Sequence, residues 1–198
     1  MNKSSKTVNL SGEILSSALQ KAPDMGWSPR LLTALKQEFG IVEMTRHYPR
    51  GLIDLAQGWA DWADHEMLAA LETDEFAQMK IREKIAHGVR ARLTALTPHK
   101  AAFKASFKYL MNPLHAGAVK DMTWQTADRL WYAAGDDATD YNHYSKRLLL
   151  SGVLASTTLY WMRDTSENHE KTWAFLNRRI DNVLKFGGLM NKFKKRRA

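Results

Sequence analysis

Apolar residues recur three and four positions apart along nearly the whole chain, and no stretch alternates apolar with polar at a period of two. That spacing lines one face of successive α-helices and predicts an all-α fold of about nine or ten helices. Residues 1–10 read as a loose polar arm. Ser11 is a cap for a first helix carrying Ile14, Leu15, Ala18 and Leu19, ended by Pro23. Ser28-Pro29 pairs a cap with a first-turn proline. It opens a helix with Leu31, Leu32, Leu35 and Phe39 that stops at Gly40. A short third helix, about Val42 to Tyr48, ends at Pro49. Residues 11–50 thus match a helix-turn-helix unit of three short helices.

Residues 51–186 continue as a larger bundle. Leu52, Leu55, Ala56, Trp59, Ala63, Met67 and Ala70 mark a long helix, and Asp74 caps another with Phe76, Met79, Ile85, Val89 and Leu93. Thr97-Pro98 starts a helix containing Phe103, Phe107, Leu110 and Met111, broken by Asn112-Pro113. Trp124, Ala127, Leu130, Trp131 and Ala134 then form a buried face that leads to Gly135. Two long helices follow, over roughly 140–163 and 167–186. Between them and what precedes lies the densest stretch of signals, Trp131 to Arg147. Gly135 takes a left-handed conformation that stops one helix, Asp136 and Asp137 make a turn, and Thr139 or Asp140 caps the next helix.

The chain of 198 residues fits one domain, or one compact domain with a small appendage, and has enough length for a sizeable core. It has no cysteine, which excludes disulfides and thiol chemistry and suits a reducing compartment. The first ten residues are polar and show no secretory signal, and no run of roughly 18 apolar residues spans a bilayer. The formal charge of +8 is local: residues 185–198 carry six basic side chains and no acid, leaving about +2 for residues 1–184. Within that tail, residues 187–198 present Leu189, Met190 and Phe193 among Lys192, Lys194, Lys195, Arg196 and Arg197. Short, basic and amphipathic, the segment suits an anionic membrane surface, with Gly187-Gly188 as its hinge.

Catalytic chemistry finds no support. Asp136-Asp137-Ala138-Thr139-Asp140 spells the D-D-x-x-D of magnesium-diphosphate sites, but no second acidic motif accompanies it and Gly135 marks a turn. No Glu has His three residues on, so a di-iron carboxylate site is not indicated. Phosphate-cradling loops and nucleophile elbows are absent. No catalytic residue, metal site or cofactor is therefore expected. The third short helix offers Arg46, His47 and, just beyond, Arg50 to DNA, but also Glu43, and the chain outside its tail is near neutral. DNA binding is the lesser expectation.

Ala134-Gly135-Asp136, Ala138-Thr139-Asp140, Asn142, Tyr144 to Arg147, Asp164, Ser166, Thr172-Trp173, Phe175-Leu176 and Arg179-Ile180 form a pattern that resembles the Coq9 family of ubiquinone-biosynthesis proteins. The resemblance is strong over about 123–186 and looser before it, where Gly26-Trp27-Ser28 and the helix order agree. His143 stands where the family usually has Trp, and Ala138 where it has Ser or Thr. The resemblance implies a TetR-like fold whose last two long helices pair with a second copy. Leu148, Ser151, Gly152, Ala155 and Leu159 are the interface candidates for a homodimer.

The resemblance further implies a non-enzymatic accessory protein that binds an isoprenoid quinone precursor or other lipid and presents it to a Coq7-type hydroxylase. Phe103, Phe107, Met111, Met122, Leu130, Trp131, Leu154, Tyr160 and Trp161 are the apolar lining candidates. His143, Tyr144 and Arg147 would dock the hydroxylase, with both Tyr144 and Arg147 facing solvent. The protein would act at the cytoplasmic, inner face of a membrane. The alternative is a TetR-type, ligand-responsive transcription regulator with the same fold.

Overall fold

The computed structural model describes the backbone of residues 3–136 and 141–195, with side chains over 10–136 and 143–183. Every regular element among these residues is helical. The chain divides into two compact units, Met1–Ala63 with Leu96–Met122, and Asp64–Ala95 with Thr123–Ala198.

The first unit contains α1 (Lys3–Met25), α2 (Pro29–Phe39), α3 (Ile41–His47), the start of α4 (Leu52–Leu71) and α7 (Lys100–Leu110). Helix α1 begins at Lys3, so the expected arm and the Ser11 cap are both corrected. Lys3 to Leu10 contains no glycine or proline, and helical bonding runs through it. Ser11 instead lies within α1, and its carbonyl accepts the Tyr48 hydroxyl at 2.9 Å. Pro23 lies in the last turn without ending the helix, which closes where the Gly26 N–H donates to Ala22.

The expected helix-turn-helix is present, with Gly40 alone separating α2 from α3. Its core gathers Ile14, Ala18, Leu31, Leu35 and Leu55, all fully buried. Trp27 stacks on Trp59 with ring centroids 5.8 Å apart, and its indole N–H donates to the Leu52 carbonyl at 2.9 Å. Trp59 also meets Phe103 edge-on. Burying each such large side chain contributes roughly 1.5–3 kcal/mol.

The second unit holds the end of α4, α5 (Asp74–Gln78), α6 (Ile81–Leu96), most of α8 (Ala116–Ala133), α9 (Tyr141–Arg163) and α10 (Glu170–Lys195). The single helix expected after Asp74 is two. Thr73 is the cap, accepting from the Phe76 N–H at 3.1 Å, and Asp74 is the first helical residue. Glu83 accepts from the Lys80 N–H at 3.0 Å, which starts α6 afresh after the extended Met79. Helices α6 and α8 meet at Gly88. A Cβ there would lie 2.2 Å from Leu130 Cδ1, so only hydrogen fits.

Asp64, also on α4, is buried and paired with Arg92 at 2.7 Å, Arg129 at 2.8 Å and the Thr126 hydroxyl at 2.9 Å. Between α9 and α10, Asp164 accepts from the N–H and hydroxyl of both Ser166 and Thr172, and Asn168 and His169 carry positive φ. Helix α10 continues to Lys195 through Gly187-Gly188, where the sequence suggests a hinge.

Candidate interaction surface

Helix α8 ends in the bonding pattern its sequence announces. Gly135, at φ 91°, donates to the Tyr132 carbonyl and Asp136 to that of Trp131, satisfying two carbonyls the helix would leave open. This turn aims the Asp136 carboxylate back at α9. It accepts from Lys146 Nζ at 2.5 Å and Arg147 Nη1 at 3.3 Å. Arg147 also donates from Nε to Asp128 on α8 and from Nη1 to the His143 carbonyl at 3.2 Å. Burial pushes the Asp136 carboxyl up, but Lys146 and Arg147 outweigh that and hold it below the ordinary carboxylate range. The expected Thr139 or Asp140 cap of α9 lies outside the described residues.

Arg147 is therefore not the solvent-facing docking residue the sequence suggests. It is 3% exposed, because two carboxylates and a carbonyl draw its guanidinium into the α8–α9 crossing. Tyr144 does face outward, at 62% exposure, and stacks on Trp124 at 6.2 Å. His143 meets its ring edge-on at 5.1 Å. Lys146 covers Trp131 at 5.5 Å. Tyr132 and Leu148 are likewise exposed. Of these, the sequence reading missed Tyr132, and Trp124 and Trp131, expected in the buried face, are half-buried. The signal for Tyr132 was an aromatic at the solvent edge of an otherwise core-facing helix.

The lining candidates divide between the two units. Phe103, Phe107, Met111 and Met122 belong to the first unit, and Leu130, Trp131, Leu154, Tyr160 and Trp161 to the second. Met111 follows the end of α7 and is exposed, which removes it as an interior lining residue. Leu130 and Trp161 are fully buried in close packing. An open cleft of about 460 Å³ lies between α9 and α10, lined by Ser156, Leu159, Tyr160, Arg163, Asp164, Thr165, Lys171 and Phe175. Tyr160 is the one candidate that lines it, its ring stacked on Phe175 at 4.6 Å.

Along α9, Leu148, Gly152, Ala155 and Leu159 are exposed and Ser151 is half-buried. The side chains of Leu189, Met190, Lys192, Phe193, Lys194 and Lys195 lie outside the described residues, as do Arg196 and Arg197 entirely. No helix among the described residues is long and apolar enough to cross a membrane. In the helix-turn-helix, Arg46 is held by Glu43 at 2.7 Å and Arg50 by Asp54 at 2.6 Å. Both cations expected to reach DNA are thus engaged locally.

A family model described as COQ9 matches residues 117–187. Relatives named ubiquinone biosynthesis protein COQ9, mitochondrial, align with most of the chain. The Drosophila melanogaster protein is 24% identical over 195 residues, covering 96% of this chain and 60% of that protein. The Bos taurus protein is 27% identical over 186 residues, covering 90% and 58%. The chain thus spans about 60% of the length of the curated relatives it matches. A TetR transcriptional regulator from Nitrosomonas europaea, solved by crystallography, superposes with a TM-score of 0.71 at 23% identity, covering 89% of this chain and 98% of that one. The fold is TetR-like and all-α.

Proposed function

We propose that this COQ9-like chain is a non-enzymatic accessory protein of ubiquinone biosynthesis, which binds an isoprenoid quinone precursor and presents it to a membrane-associated hydroxylase. The observation that carries this reading is the alignment of 90% or more of the chain with proteins of that name, together with the family-model match over residues 117–187. The exposed Tyr132 and Tyr144, the latter stacked on Trp124, supply a docking surface of the aromatic-rich kind that anchors protein interfaces. The basic tail brings the protein to an anionic, cytoplasmic-side membrane surface, and α9 pairs with a second copy. The engaged state of Arg46 and Arg50 favours this reading over a DNA-binding regulator, which needs basic side chains available to phosphate.

Two measurements test it. Mass spectrometry of lipid retained by the purified chain is expected to find a polyisoprenoid phenol or quinone; only bulk phospholipid would count against the ligand. Tyr144→Ala with Tyr132→Ala is expected to weaken hydroxylase capture by roughly 1–3 kcal/mol per anchor, with melting nearly unchanged. Undiminished capture by the folded double variant would remove this surface from the docking proposal.

A further inference from the structure

The corner between α7 and α8 combines three properties that the proposed function does not use. From Thr97 to Lys120 the chain carries Lys100, Lys104, Lys108 and Lys120 and no Asp or Glu; Asp121 is the next acid. Lys104 and Lys108 are exposed one turn apart on α7, so they project from the same side of the helix. Directly beyond them the tip is apolar and outward: Met111 is 64% exposed and Leu114 88%. Among the described residues no other large apolar side chain is as exposed as Leu114.

The tip is also built rather than loose. Met111 and Asn112 donate to the Phe107 and Tyr109 carbonyls, and the Asn112 side chain accepts from the Leu114 N–H at 3.0 Å. Pro113 opens a 3-10 turn over Pro113–His115, and the His115 ring lies 4.4 Å from Tyr109. A corner already fixed in shape loses little conformational entropy on binding a surface.

We infer that this corner is a membrane-contact site of its own, in which Leu114 and Met111 enter the headgroup–acyl boundary of an anionic bilayer while Lys104 and Lys108 meet lipid phosphates. The inference stands apart from the proposed function and from the C-terminal segment. An apolar tip flanked by lysines, with no acid on its approach, is complementary to that boundary. A nucleic acid is the poorer occupant, since its backbone rewards polar donors and stacking rings rather than two protruding aliphatic groups.

Because the chain has no cysteine, Leu114→Cys supplies a single thiol for an environment-sensitive fluorophore. A label at Gln37→Cys, exposed on α2, is the control. With the full chain and phosphatidylcholine–phosphatidylserine vesicles, emission at 114 is expected to shift to the blue while that at 37 does not, and pure phosphatidylcholine is expected to give no shift. In otherwise unlabelled protein, Lys104→Glu with Lys108→Glu is expected to lower anionic-vesicle affinity by more than about tenfold, taking the usual contribution of a lysine near such a surface. Equal, water-like emission at both labels while the protein is vesicle-bound would overturn the inference. A shift at 114 given by duplex DNA and not by vesicles would do the same.

Discussion

Arg147 and Asp128 join α9 to α8 through a guanidinium that is 3% exposed and a carboxylate that is 48% exposed. The arginine is thus the buried partner, and its second carboxylate, Asp136, is itself nearly buried. A guanidinium in this position cannot shed its charge; removing it leaves Lys146 to hold Asp136, and reversing it forces three carboxylates together. Arg147→Ala is expected to cost about 1–3 kcal/mol, below the full buried-pair figure because Asp128 keeps solvent and Asp136 keeps Lys146. Asp128→Ala is expected to cost less. Chemical denaturation of the two variants checks both, and a stable Arg147→Ala protein would refute the buried-brace description.

Asp164 accepts four hydrogen bonds from Ser166 and Thr172 at the start of α10. Burial pushes its carboxyl up, and these bonds more than offset that, holding it well below the usual carboxylate range. Above the unfolded carboxylate value of about 3.9 the stabilisation is fully present, and it fades as pH falls toward the depressed folded value. Asp164→Asn places an amide against donors and is expected to cost about 1–3 kcal/mol at neutral pH. Urea midpoints are expected to fall less for the variant than for the parent between pH 5 and pH 3. Parallel pH profiles would show that Asp164 does not carry this dependence.

Periodicity made the helix order legible, including the glycine between α2 and α3, because the 3.6-residue repeat and the breakers are local properties. Gly135 was legible for the same reason. Arg147 was not: its neighbours in sequence, Tyr144 and Lys146, suggest a solvated helix start, and only the approach of α8 brings Asp128 to it. Asp64 escaped notice likewise, since its partners Arg92 and Arg129 lie on other helices. The start of α1 was misjudged in the opposite sense, polarity being taken for disorder where no residue breaks a helix. Individual lining residues were the least legible, because large apolar side chains at helical spacing look alike whether they fill a core or border a cavity.

Gly88 is a packing requirement rather than a flexible point. Alanine would gain about 1 kcal/mol of helix propensity. Its methyl would, however, meet the side chain of Leu130, which is fully buried and must shift to admit it. Overpacking of that kind costs typically about 1–3 kcal/mol. Gly88→Ala is therefore expected to lower the melting temperature despite the better helix former. A variant at least as stable as the parent would mean that α6 and α8 yield at this crossing.

The exposed face of α9 bears on the proposed homodimer. Leu148, Gly152, Ala155 and Leu159 follow one another at helical spacing over roughly 16 Å of helix, at 1.5 Å per residue. A Cβ on Gly152 would meet no heavy atom within 4 Å, so the groove between the two leucines is open. Small residues flanked by leucines let a second copy of the same helix approach closely, and a two-fold axis would bury each leucine against its counterpart. Arginine at position 155 would place an unpaired charge in that contact. Burying such a charge costs about 3 kcal/mol, or roughly a hundredfold in dissociation constant. Sedimentation equilibrium at micromolar concentration is expected to give a dimer for the parent and a monomer for Ala155→Arg, with identical helical circular dichroism. A parent that sediments as a monomer, or an arginine variant that stays dimeric, would rule out α9 as the pairing face.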